Sequence, residues 1–294
     1  MVLWAANFIV VKEALTILPP AAFTLLRYTL ASVALLAILR IYEGTVRLPR
    51  PDVGRILGLG ALGFGIYQIL WTTGLQAIPA GDSALLIAST PVFTAVLAVV
   101  AGADTLNPIK VAGAALSFVG VVVVIGAGVG LELSASGGSL AGSAITLAAA
   151  VCWASYTAFA APVLRRHSPL VLTTFATIGG TVVMVPLGVA QFMTPGVLGP
   201  TLVENALPIL LAIAYSGLLS AALANVIVFN GVRLLGPTRI ITLQSLVPAL
   251  AVILAFIFLG EPIRPVQLIG GAIIITGVAL TRMAYRFPLA GRRR

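Results

Sequence analysis

Apolar stretches of about twenty residues, separated by Pro, Gly or charge and by little else, recur along the whole of this chain. A helix of that length rises about 30 Å, the thickness of the hydrocarbon core of a bilayer. Backbone hydrogen bonds cannot go to water there, so the pattern calls for spanning helices whose bonds close within each segment. Charged side chains make up 9% of the 294 residues, against roughly 25% in soluble domains. An ordinary soluble enzyme is excluded, because such a chain could not cover its surface. The expected spans are 2–18, 21–41, 54–76, 82–102, 108–129, 140–163, 169–191, 206–229, 236–259 and 265–284. Residues 2–18 lack the basic leader and cleavage pattern of a signal peptide, so the chain is expected to begin inside its first helix.

The net charge of +9 is first a topology signal. With the N-terminus in the cytoplasm, the connections after even-numbered spans carry Arg40, Arg47, Arg50, Arg55, Lys110, Arg165, Arg166, Arg233 and Arg239. The C-terminal tail adds Arg282, Arg286, Arg292, Arg293 and Arg294, while Arg264 alone falls outside and Lys12 and Arg27 stay within spans. Fourteen of 17 basic residues thus face one side, and the positive-inside rule predicts that both termini are cytoplasmic. Nucleic acid is not an expected partner. The single Cys152 excludes an intrachain disulfide, and the single His167 excludes a His-rich metal site.

The chain also matches itself. A shift of 157 positions aligns Gly74 with Gly231, Pro91 with Pro248, Asp104 with Glu261, Pro108 with Pro265, Gly113 with Gly270 and Gly120 with Gly277. Nearer each start, a shift of 149 aligns Trp4 with Trp153 and Pro20 with Pro169. Two halves of five spans follow, 1–130 and 140–285, with a basic cytoplasmic tail at 286–294. Five is odd, so the second half enters the membrane from the opposite side. The expected fold is an all-α membrane protein, ten transmembrane helices in two inverted five-helix repeats, which is a transporter's architecture.

Trp4-Ala5-Ala6-Asn7-Phe8 followed by Lys12, Leu259-Gly260-Glu261, and Pro265-Val266-Gln267 with Gly270 and Gly277 resemble the drug/metabolite transporter superfamily, in particular its EamA-type branch. The resemblance covers the whole chain. It implies a bacterial exporter of amino acids or other metabolites, and export is implied by the resemblance alone.

Polar and aromatic residues inside apolar spans are the informative positions, since a polar group in hydrocarbon is costly unless it faces the bundle interior or a water-filled cavity. Phe64, Tyr67 and Trp71 share a face of the third span with Gln68 adjacent, and Trp153 and Tyr156 lie one turn apart at positions matching Trp4 and Asn7. An aromatic-lined cavity follows, with Asn7, Tyr67, Gln68, Trp71, Trp153, Tyr156, Asn225 and Gln244 as candidate substrate contacts. Packing or interfacial anchoring is the competing role of these rings. Lys12 and Glu13 are coupling candidates, Glu13 being read as the one carboxylate well inside a span. Solvation at the outer interface is the alternative for both, and for Arg27. Pro91 and Pro248 remove backbone donors at matched places and are candidate hinges.

Gly58-Leu59-Gly60-Ala61-Leu62-Gly63 fits the dinucleotide fingerprint by letters but opens no strand-turn-helix unit. Small residues at Gly54, Gly58, Gly113, Ser117 and Gly270 predict close helix approach instead, with Ile274 breaking the pattern. No Gly-Lys dipeptide exists, so no Walker A loop binds ATP and no ATPase subunit is implied. No cofactor, metal or catalytic residue is expected, and one His in a loop beside Arg165 and Arg166 does not furnish an intramembrane enzyme. The expected function is a secondary exporter in the bacterial inner membrane, carrying small molecules, aromatic and related amphipathic amino acids first, among membrane lipid. A carrier of nucleotide sugars or drugs on the same fold, or an uncoupled facilitator, is the alternative.

Overall fold

The computed structural model describes residues 1–44, 48–100, 108–129, 137–235 and 243–283. Arg47, Asp104, Arg239, the first residues of the expected ninth span and the 286–294 tail lie outside them. The described residues form helices and connections and no strand. In chain order the helices are α1 (Val2–Ala14), α2 (Pro20–Glu43), α3 (Arg50–Ala77), α4 (Ala80–Val100), α5 (Pro108–Val129), α6 (Gly137–Leu164) and α7 (Pro169–Phe192). After the single turn Pro200–Glu204 come α8 (206–235), α9 (Leu246–Leu259) and α10 (Pro265–Met283). Eight of these, all but α1 and α9, are long and apolar enough to cross a membrane, and α9 is a shorter apolar helix.

Local chemistry sets the boundaries. Pro20, Pro108, Pro169 and Pro265 open their helices, where the missing N–H is one that has no intrahelical partner anyway. Ser168 caps α7, its hydroxyl accepting from the Val171 N–H at 3.1 Å. Gly260 ends α9 with φ +66°, a left-handed cap that side chains disfavour. The first helix ends at Ala14, four residues short of the expected 2–18, and the turn that follows leads into Pro19 and Pro20.

Helices pack α5 on α10, α2 on α7, α3 on α6, α1 on α8, α4 on α6, α1 on α9, α3 on α7 and α2 on α8. Exchanging α1 with α6, α2 with α7, α3 with α8, α4 with α9 and α5 with α10 returns the same set of pairs. The offsets hold at the level of single residues. A Cβ on Gly60 would strike the Ala176 carbonyl, and one on Gly217 would lie 2.6 Å from the Arg27 carbonyl; Gly217 is Gly60 shifted by 157, and Ala176 is Arg27 shifted by 149. Gly113 and Gly277 meet across α5 and α10, as do Gly120 and Gly270, with the Ser117 hydroxyl donating to the Ile274 carbonyl at 2.9 Å between them. Close approach at small residues is therefore the packing rule here. Gly54 and Gly58 are exceptions to the sequence expectation: a Cβ on either meets nothing within 4 Å. Their spacing puts them on a helix face that no neighbour covers.

Two irregularities repeat as well. α3 opens into a π-helical segment at Ala61–Ile66 and α8 into one at Tyr215–Leu223, and the 157-residue shift carries 61–66 onto 218–223. The fourth helix is interrupted at Ala88 and Ser89, just before Pro91, and helical residues 243–244 are separated from α9 at Ser245, just before Pro248. Pro91 and Pro248 thus sit in the first turn after matched breaks, where a missing N–H is tolerated, rather than in bends of continuous helix.

Polar residues gather at the two ends of the bundle. At one end Asp52 accepts from Arg166 at 3.2 Å and pairs with His167 Nε2 at 2.8 Å, while the Ser168 hydroxyl donates to Glu43 at 2.7 Å. At the other end Gln191 Oε1 accepts from the Ala21 and Ala22 N–H groups opening α2. There too Glu261 accepts from the Ala80 and Gly81 N–H groups opening α4, at 2.7 and 3.1 Å. Between these ends the core is made of apolar clusters interrupted by the buried polar side chains of Asn7, Arg27, Gln68 and Ser216.

Candidate solute-binding site

The aromatic residues singled out from the sequence divide into two groups. Phe64 from α3 stands edge-on to Trp153 (5.6 Å) and Tyr156 (5.2 Å) of α6. Tyr67 leans on Trp153 at 5.1 Å, and Trp153 on Tyr156 at the same distance. Trp71 does not join them, contrary to the shared face expected of Phe64, Tyr67 and Trp71. It packs edge-on against Phe8 of α1 at 5.2 Å, is 3% exposed, and leaves its indole N–H without a partner. Tyr67 and Trp71 both follow the widened turn at Ala61–Ile66 in one regular stretch of α3, where residues four apart stand about 40° apart around the axis. Tyr67 thereby meets Trp153 of α6 while Trp71 meets Phe8 of α1.

Between the two groups lies Arg27, which sequence reasoning left as a possible interfacial residue. It stands two turns into α2 and is 1% exposed. Its guanidinium donates to Gln68 Oε1 of α3 at 2.6 Å and to the Ser216 hydroxyl of α8 at 2.7 Å. Its carbon lies 5.1 Å from the Tyr28 ring, 5.4 Å from Trp71 and 5.6 Å from Phe23. Gln68 lies two residues past the π-helical segment of α3 and Ser216 lies inside that of α8, so the widened turns of both helices border this cation. Such segments occur often at functional sites, where they free backbone geometry for local use.

Asn7 is buried on α1 with its Oδ1 unpartnered, and Trp4 on the same helix donates to the Ser220 carbonyl of α8 at 3.1 Å. Asn225, the 157-shifted counterpart of Gln68, turns its amide back to the Ala221 carbonyl of its own helix at 2.7 Å. Gln244 is half-buried beside Ser245, whose hydroxyl accepts from Arg282. These two therefore stand apart from the Arg27 centre.

The charged pair of α1 is also separated. Lys12 donates to the carbonyls of Leu75, Gln76 and Ile78 at 2.7, 3.2 and 2.8 Å, closing the C-terminal end of α3. Its ammonium satisfies carbonyls that no intrahelical donor reaches and meets the negative end of the helix dipole. Glu13 is exposed in the last turn of α1, a correction to its reading as the carboxylate well inside a span. Apart from Asp52 beside Arg166, the buried carboxylate among the described residues is Asp82 in the first turn of α4, 4% exposed and accepting from Gln267 at 2.7 Å. Its place at the edge of an expected span concealed it.

A bundle of apolar helices with matched breaks, polar ends and a buried charged and aromatic centre defines a multi-pass membrane transporter. The EamA-like transporter family matches this chain at residues 1–126 and again at 140–283, and the chain belongs to that family. A relative in Streptantibioticus cattleyicolor, described as a probable terminal-alkyne amino-acid exporter, is 33% identical over 95% of this chain and 90% of its own. Probable amino-acid metabolite efflux pumps of Salmonella typhimurium and Escherichia coli are 26% and 27% identical over 99% of this chain, and 95% and 94% of theirs. A solved crystal structure with 20% identity shares the fold, with a TM-score of 0.62 over 98% of this chain and 95% of that one.

Proposed function

We propose that this chain is a secondary exporter of amino acids, aromatic and related amphipathic ones first, in the bacterial inner membrane. Ten spans in two inverted halves, with both termini cytoplasmic, would expose one central site to either side in turn. The observation that carries the substrate class is the ring of Phe64, Tyr67, Trp153 and Tyr156 between a helix of each half. These rings offer stacking surface with phenol and indole handles at low entropic cost. The exchange of packing partners between halves supports the repeat, and the matched breaks near Pro91 and Pro248 are the places where helices could swing. The named relatives are described as a probable amino-acid exporter and probable amino-acid metabolite efflux pumps, which agrees with this reading.

A nucleotide-sugar carrier would need several free cations for its phosphates. Lys12 is committed to backbone carbonyls, which leaves Arg27 without a second cation from α1. The test is uptake of labelled Phe, Trp, Thr and Met into proteoliposomes, with and without an imposed proton gradient. Trp153→Ala is expected to lower Phe and Trp flux about 2- to 13-fold while Thr flux changes less, since an aromatic pair is worth about 0.5–1.5 kcal/mol. Unchanged aromatic flux in well-folded Trp153→Ala would remove the aromatic cavity. For coupling, Glu13 remains the residue to examine, Lys12 being held by backbone carbonyls, and flux indifferent to the gradient in the wild type would make the chain a facilitator.

A further inference from the structure

A guanidinium in a membrane interior is expensive, and arginine does not escape the expense by losing its proton. Arg27 nevertheless sits there at 1% exposure, and among the described residues no carboxylate pairs with it. What surrounds it is neutral: an amide oxygen from Gln68, a hydroxyl from Ser216 and the faces of Phe23, Tyr28 and Trp71. Its Nε is buried without a partner, and so is the indole Nε1 of Trp71, whose ring lies 5.4 Å from the guanidinium carbon. Five fixed donors, two neutral partners and an orphaned indole N–H make a site built for an anion that is not part of the chain.

We propose that Arg27 anchors the carboxylate of the transported solute. The carboxylate takes the guanidinium fork from Gln68 and Ser216, and Trp71 Nε1 supplies a further donor. Bidentate pairing of this kind is strong and directional, and it needs a planar anion of carboxylate size. Gln68 lies on α3 just past its π-helical segment and Ser216 within that of α8, so releasing Arg27 to the solute also frees the contact between those helices. The inference names the recognised group at the site of the proposed amino-acid exporter and rests on that reading for the ammonium and side chain, though not for the carboxylate.

Four compounds separate the two. Phenylalanine and phenylalaninamide differ in the carboxylate alone, as do 3-phenylpropionate and 3-phenylpropionamide, and the second pair lacks the amine. Binding to the purified full chain in lipid nanodiscs is measured by calorimetry, for the wild type, Arg27→Gln and Arg27→Lys. Each acid is expected to bind at least 30-fold tighter than its amide in the wild type, as loss of one partner of a buried charge pair implies. Arg27→Gln should bring that ratio to about 1, and Arg27→Lys should retain an intermediate preference, which keeps the test informative if the Gln variant unfolds. Equal binding of acid and amide by the wild type overturns the assignment and leaves amino-acid export standing. So does a ratio that survives in folded Arg27→Gln. Arg27-dependent binding of 3-phenylpropionate without phenylalanine upholds the anchor and ends the amino-acid reading. Binding of neither acid overturns both.

Discussion

Replacing Gly217 by alanine tests the packing of helix backbone on helix backbone. The added Cβ would stand 2.6 Å from the Arg27 carbonyl oxygen, where ordinary contact begins at 3.4 Å, so α8 and α2 must part by about 0.8 Å. The obstacle is backbone and cannot rotate aside. Overpacking of this kind costs about 1–3 kcal/mol, against which alanine recovers up to about 1 kcal/mol of helix propensity. The net expectation is a loss of about 1–2 kcal/mol. Unfolding followed through tryptophan emission suits the measurement, because Trp71 is 3% exposed and responds to loss of the core. On soluble-domain scaling each kcal/mol moves the midpoint about 2–4 °C. Gly60→Ala, which drives a methyl into the Ala176 carbonyl on α7, should lower the midpoint in the same way. Gly58→Ala is the control, two residues from Gly60 and with nothing within 4 Å, and it should raise the midpoint. A Gly217→Ala protein that melts at or above the wild type, or a Gly58→Ala protein that melts as low as Gly60→Ala, would refute the packing argument.

Substitutions at two further residues distinguish structural charges from transport charges. Lys12→Met removes three donors from the last carbonyls of α3 and should destabilise by about 1–2 kcal/mol; the gradient dependence of flux should be unaltered, as read in the proteoliposome assay. Glu261→Ala frees the two N–H groups that open α4 and should cost about 1–2 kcal/mol. Glu261→Gln keeps an acceptor without the charge and should lose less, a ranking that thermal unfolding reads directly.

The helical architecture was legible because lipid imposes it: apolar length predicts helices, and Pro and Gly between the runs mark their ends. Ser168 before Pro169 and Gly260 after Leu259 could be read this way and were found as caps. Phe64, Tyr67, Trp153 and Tyr156 also stood out, since rings amid aliphatic residues are conspicuous and two of them match Trp4 and Asn7 in the repeat. Trp71 was misplaced because spacing along one helix does not say which neighbouring helix each ring meets, and about 40° of rotation from Tyr67 is enough to give Trp71 to Phe8 of α1. Gly54 and Gly58 had the right spacing for close approach, but spacing cannot say whether a partner helix faces them. Arg27 was undervalued because seven residues from the start of an expected span is a distance from which arginine can reach the interface. One signal was available: at a shift of 149 its counterpart is Ala176, so the charge has no copy in the second half.

That missing copy has a physical sense. The packing pairs are unchanged when the halves are exchanged, yet Arg27 maps onto Ala176, Ser216 onto Leu59, Trp71 onto Val228, and Gln68 onto an Asn225 that bonds its own helix. Alternating access needs two end states within a few kcal/mol of each other, and near-equivalent packing of two halves is a direct way to supply them. A solute with one carboxylate needs the opposite, a single cation and no copy of it. A second guanidinium at 176 would add like-charge repulsion in a medium that screens poorly. It would also crowd the place where Gly60 meets Ala176 backbone to backbone. On the proposed mechanism, a symmetric scaffold therefore carries an asymmetric charge on α2, held between the π-helical turns of α3 and α8. The anchor can stay with its solute while those two helices change their hold on it.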